Sequence, residues 1–119
     1  MKTSEIIKAK LVAANVPYCC NDYIGDLISD KELIDLELEV KENIEAVLDS
    51  LVIDTKNDHN TKETAKRMAK MYIREVLSGR YSKQPSITEF PNTKELDEIY
   101  IVSPISINSM CSHHFVPIM

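Results

Sequence analysis

The sequence predicts an α+β fold, with helices first and β structure after them. Two observations carry this. Apolar residues recur every three or four positions in long stretches up to about residue 79. Beyond it the pattern changes to short extended runs broken by Pro91-Asn92 and Ser103-Pro104. A third observation sets the scale: 119 residues suffice for one domain, not two. Residues 1–56 read as an N-terminal helical region, and 57–119 as the start of a second region that begins with a helix and passes into strands.

In order along the chain, Ile6, Ile7, Leu11 and Val12 have helical spacing, predicting a short helix within residues 1–14. Pro17, Asn21, Asp22 and Gly25 mark turns through Asn15–Ile28. Ser29 with Glu32 has the capping-box pattern, and Asp30 adds negative charge where a helix N-terminus favours it. The helix that follows is predicted over Lys31–Ile53, with Leu33, Leu36, Val40, Ile44, Val47, Leu48 and Leu51 as its stripe. So long a helix is expected to pack partly on neighbours. Asp54–Thr61 is a polar loop. Thr64 is the expected N-cap of the next helix, Ala65, Met68, Ala69, Tyr72, Ile73, Val76 and Leu77 its apolar stripe, and Gly79 its C-terminal cap. Lys66, Arg67, Lys70 and Arg74 lie opposite that stripe. Ile87–Phe90, Glu98–Val102 and Ile105–Met110 read as strands. Val116–Met119 reads as a strand that starts and stops, so the sheet is expected to be incomplete at the C-terminus: another chain covers its edge, or the sequence is the front of a longer protein.

Composition narrows the function classes. Hydrophobic residues are 44% and charged residues 28%, with two Gly and five Pro, which argues against low complexity. A net charge of −5 argues against nucleic acid as a general partner. No apolar run approaches the ~20 residues of a membrane helix, and the opening residues lack a signal-peptide core, so a cytoplasmic location is expected. Three cysteines, two of them adjacent (Cys19, Cys20), do not make a disulfide framework. Ordinary packing is the expectation for that pair, and solvation for His59.

The chemistry concentrates in Cys111-Ser112-His113-His114, where one thiol and two imidazoles lie within a turn's reach. Sulfur and imidazole nitrogen together suit a tetrahedral zinc ion. The bland alternative is a buried Cys with surface His beside a strand.

The block Glu63-Thr64-Ala65-Lys66-Arg67-Met68-Ala69-Lys70-Met71-Tyr72, then Ser78-Gly79, then Ser109-Met110-Cys111-Ser112-His113-His114-Phe115-Val116-Pro117 resembles GTP cyclohydrolase I in letters, order and spacing. The resemblance runs from about Ile44 to Met119. It implies a tunnelling fold (T-fold), with N-terminal helices beside an antiparallel sheet. It also implies a homo-oligomer, commonly a decamer, with active sites between subunits, and hydrolysis of GTP to formate and 7,8-dihydroneopterin triphosphate on the route to folate, pterins or deazaguanines. By the resemblance, Cys111 and His114 align with two of three ligands to Zn2+, His113 with a catalytic His, and Arg67 with an Arg that holds the triphosphate.

The residue types fit that chemistry. Attack on purine C8 needs a nucleophile stronger than water, which zinc supplies by lowering the pKa of bound water to about 7. C8 becomes electrophilic when N7 is protonated, and a His with pKa near ~6.5 can give that proton. In an extended segment His113 and His114 point to opposite sides; a bend would turn one to metal and the other to substrate. No Gly-x-x-x-x-Gly-Lys-Ser/Thr loop is present, so the phosphates fall to Lys, Arg and helix N-termini. Ser112 stands where many relatives carry Glu, and Ala65 where Pro is common at the first helical position. The family's third zinc ligand, a Cys, lies well downstream, beyond Met119. Two alternatives stand beside the enzyme reading. One is a catalytically incomplete zinc-binding or assembly fragment that needs a partner; the other is a different tunnelling-fold enzyme of pterins or deazapurines.

Overall fold

A computed structural model describes residues 1–83, 91–95, 97, 99, 101, 103–105, 107 and 109–118. Helix α1 (Thr3–Ala13) buries Ile7 and Leu11 and leaves Ile6 and Val12 exposed. It ends on Asn15, whose φ of 54° reverses the chain. The Val16 N–H then donates to the Leu11 carbonyl at 2.9 Å and the Asn15 N–H to that of Val12 at 3.1 Å, a Schellman closure. Asn tolerates the left-handed conformation better than most residues, and the closure carries Val16 against the core.

Helix α2 (Asp30–Ser50) starts where the capping box predicts. The Glu32 N–H donates to Ser29 Oγ at 3.1 Å, and the Ser29 N–H to Glu32 Oε2 at 2.8 Å. Glu32 also takes Lys10 Nζ at 2.6 Å, and Glu39, two turns on, accepts from Ser4. The start of α2 therefore meets the end of α1, and the two helices run antiparallel. Lys10, and then the Ser29 N–H, hold the Glu32 carboxyl below its usual range. That contribution is present above the ordinary carboxylate pKa and is lost as pH falls through the lowered value.

The predicted end of α2 at Ile53 is wrong by about three residues. Val52 takes φ 64°, and the N–H groups of Val52 and Ile53 donate to the carbonyls of Asp49 (2.9 Å) and Leu48 (3.1 Å). This is a second Schellman closure, with a β-branched residue where Gly is usual. Val52 is 91% exposed, so no packing compensates the strain. Val52→Gly is expected to stabilise the chain by about 1 kcal/mol, read as a higher midpoint in urea unfolding; an unchanged or lower midpoint would contradict it. Along α2, Leu36 is buried with Leu33 and Val40 against the core, whereas Val47 and Leu51 stay exposed. Among the described residues the far half of the stripe is thus only partly covered, with Ile44 and Leu48 half-buried.

Helix α3 (Thr64–Lys70) has Glu63, not Thr64, at its N-cap position. Asp58 organises the turn before it, accepting from Thr61 Oγ1 at 2.9 Å. Ala65, Ala69 and Ile73 are buried one turn apart, and the two alanines let α3 lie close on α2. Arg74 Nε reaches Glu37 Oε2 of α2 at 2.8 Å. From Met71 to Val76 the helix widens into a π segment, closed by the Leu77 N–H on the Tyr72 carbonyl at 3.1 Å. A short α4 (Ser78–Tyr81) follows. Gly79 is therefore not the expected cap: it sits inside α4 and has no positive φ. Ile7, Leu11, Ile24, Ile28, Leu36 and Ile73 form the core.

Arg80 ties the turn-rich segment to α4. Its guanidinium donates to the carbonyls of Tyr18 (3.2 Å), Cys19 (2.6 Å) and Asp22 (2.7 Å), and its own carbonyl accepts the Ile24 N–H at 3.0 Å. A 3-10 turn, Gly25–Leu27, then leads into α2.

The β half is sparse. The expected strand at 87–90 lies outside the described residues. Of the runs 98–102 and 105–110, the described residues pair only at β1 (Ser109–Met110), which joins β2 (Pro117–Ile118) antiparallel, with Ser109 opposite Ile118 and Met110 opposite Pro117. The expected final strand is thus present at 117–118. Among the described residues the fold is α+β, four α-helices and one two-stranded antiparallel sheet, and no helix is long and apolar enough to cross a membrane.

Candidate functional site

The β1–β2 hairpin holds the Cys-x-His-His block in its connection. The Cys111 N–H donates to the Val116 carbonyl at 2.9 Å, extending the ladder by one bond. The Phe115 N–H returns to the Cys111 carbonyl at 2.8 Å, closing a single helical turn over Ser112, His113 and His114. Phe115, at φ 57°, then reverses the chain into β2. The segment is bent rather than extended, so the strict alternation expected of a strand does not apply to His113 and His114.

The turn aims backbone N–H groups at the Cys111 sulfur. Those of His114 and then His113 hold its thiol below the ordinary range, because both bonds favour the thiolate. Cys111 is half-buried and both His side chains are exposed. A thiolate-prone sulfur and an imidazole in one turn fit the donor chemistry of zinc. Among the described residues, however, no three His, Cys, Asp or Glu side chains converge as a metal cluster. The residues thus fit two donors of a zinc site, not a complete set.

Tyr72 docks the turn on the helices. Its ring stacks on Phe115 with centroids 5.0 Å apart, and its hydroxyl donates to the Phe115 carbonyl at 3.2 Å. Beside β1 lies a cavity of about 220 Å³, bounded by Cys20, Tyr23, Leu77, Arg80, Ser109 and Met110 among others. It is smaller than the ~300–1,000 Å³ of typical small-molecule pockets.

The structure places Cys111, His113 and His114 in one turn and Arg67 on a different element. Arg67 is exposed on α3, outside the ion pairs among the described residues. Cys19 and Cys20 are exposed rather than packed. Sequence reasoning assigned Tyr72 to the core stripe and missed its bond to the turn. The aromatic residues flanking both halves of the motif were the available signal.

Comparison with known proteins falls on the same segments. The family profile described as GTP cyclohydrolase I matches residues 40–119. The chain is similar to GTP cyclohydrolase 1 of Haemophilus ducreyi, 36% identical over 94 residues, 78% of this chain and 42% of that one. It is 38% identical over 81 residues to the proteins of the same name from Actinobacillus pleuropneumoniae and Aeromonas salmonicida, covering 67% of this chain and 37% of each. The chain therefore spans about two-fifths of the length of these curated relatives.

Proposed function

The chain belongs to the GTP cyclohydrolase I family, and on that premise we propose that it supplies part of a zinc-dependent site that opens the imidazole ring of GTP, giving formate and 7,8-dihydroneopterin triphosphate. The observation that carries the proposal is the bent turn, with Cys111 and His114 as paired soft and borderline donors and His113 between them. Zinc held there would supply Lewis acidity, which makes hydroxide available near neutral pH. His113, exposed and lying between Cys111 and His114 in the turn, gives a proton to purine N7 and later accepts one. Arg67 holds triphosphate oxygens through its planar fork of donors. The site is completed between subunits of a homo-oligomer whose sheets join in the tunnelling-fold manner, which would also cover the apolar stripe of α2.

The test uses the gene product from its start codon to its stop codon, loaded with zinc and given GTP. Formate and, after oxidation, a fluorescent pterin are expected. A folded, zinc-loaded protein that releases neither would reject the reading.

One observation favours a second reading for the 119 residues taken alone. With two donors in one turn and no cluster of three among the described residues, this chain would act as a zinc-binding or assembly piece whose remaining donor comes from outside it. Weak zinc retention by the isolated chain, restored by added sequence or a partner, would distinguish that case.

A further inference from the structure

We infer that Tyr72 is a positioning residue for the Cys111–His114 turn; the inference rests on the reading of that turn as a metal site. The turn ends on a bulky aromatic residue in the left-handed conformation, Phe115 at φ 57°. Such a residue keeps that conformation only when its surroundings over-determine it. Two contacts from outside the hairpin support it, and both come from Tyr72: the ring stack at 5.0 Å and the hydroxyl bond to the Phe115 carbonyl at 3.2 Å. Phe115 is in turn bonded to the Cys111 carbonyl through its N–H at 2.8 Å. Tyr72 thus acts on Cys111 through Phe115, which is 43 positions from Tyr72 in sequence.

Tyr72 lies in the first turn of the π segment, and such segments recur at functional sites. Here the bond that defines it runs from the Leu77 N–H to the carbonyl of Tyr72 itself. The helix buries Ala69 and Ile73 on one side and presents Tyr72, half-buried, to the hairpin. This is the role of the groups that orient metal ligands from behind, whose removal costs about 10–100-fold in metal affinity.

The test substitutes cobalt(II) for zinc in the full gene product and compares wild type with Tyr72→Phe and Tyr72→Leu. Phe keeps the stack and loses the hydroxyl bond; Leu loses both. Cobalt affinity is expected to fall several-fold in Phe and about 10–100-fold in Leu. The visible ligand-field bands should change in shape, while helix melting by circular dichroism stays at the wild-type midpoint. Amide exchange at Phe115, measured without metal, should quicken in Leu and less in Phe. Unchanged cobalt affinity and spectrum in both variants would overturn the inference, as would a loss that tracks global melting. If wild type binds no cobalt yet Phe115 exchange still quickens in Leu, the docking role stands and the metal reading falls.

Discussion

Cys111→Ala is expected to strip the metal from the protein and abolish turnover, whereas His113→Ala should keep the metal and lose turnover alone. The first effect follows from donor count. Structural zinc sites bind with about 10–16 kcal/mol, so one of three or four donors carries roughly 3–4 kcal/mol, or ~10²–10³ in affinity. The second follows from role. General acid–base catalysis contributes about 10²–10⁴ in rate, and His113 supports Cys111 through its backbone N–H, which Ala retains. Metal per chain, measured beside formate release, separates the two variants. Full metal in Cys111→Ala would remove Cys111 from the ligand set, and an active His113→Ala would remove His113 from the chemistry. The lowered Cys111 thiol also sets a direction in pH. Metal must displace the thiol proton, so metal affinity weakens as pH falls, and the lowered thiol lessens that competition at any given pH. An unperturbed thiol would begin to release metal at a higher pH.

The parts of this molecule that sequence reasoning reached are those decided locally. The capping box at Ser29 and Glu32 is a four-residue pattern with a fixed geometry, and α2 begins on it. The 65–77 stripe is equally local, and its Ala65, Ala69 and Ile73 lie against the core. The readings that failed depend on what sits far away or on a residue used against its preference. No Gly marks the end of α2, because Val52 adopts the left-handed conformation itself. The π segment leaves no compositional trace, since a period-3.6 stripe and one with a single insertion look alike over two turns. The Cys-x-His-His letters were legible, but their bend was not, because Phe115 is an unusual residue to terminate a turn. Of the strand runs, 105–110 holds β1 at Ser109–Met110, and the other two lie largely or wholly outside the described residues. Ile99, Ile101 and Ile107 have the right alternation but are 93%, 84% and 83% exposed. Alternation specifies which face is apolar, and nothing within the described residues covers that face. The Arg80 clamp joins positions some 60 apart, which no local pattern encodes.

The other large effect concerns that clamp. Gly25→Ala is expected to destabilise the chain by about 2–3 kcal/mol, a substantial share of the ~5–15 kcal/mol that folds a small domain. A methyl at Gly25 would stand 2.5 Å from the Tyr81 carbonyl oxygen, 2.9 Å from its carbon and 2.7 Å from Cε2 of Tyr23. The Tyr23 ring can shift only by disturbing its hydroxyl's bond to Asp26; the α4 backbone cannot move without loosening the Ile24–Arg80 bond and the guanidinium contacts to Cys19 and Asp22. Ala does restrict the unfolded chain, which offsets about 0.4–1 kcal/mol, too little to reverse the sign. Gly79 supplies the control. It lies in α4, and a methyl added there would meet nothing within 4 Å, so Gly79→Ala should be neutral or slightly stabilising through helix propensity. Urea unfolding of both variants decides the matter. A Gly25→Ala midpoint equal to wild type would mean that Gly25 is not held close against the Tyr81 backbone of α4.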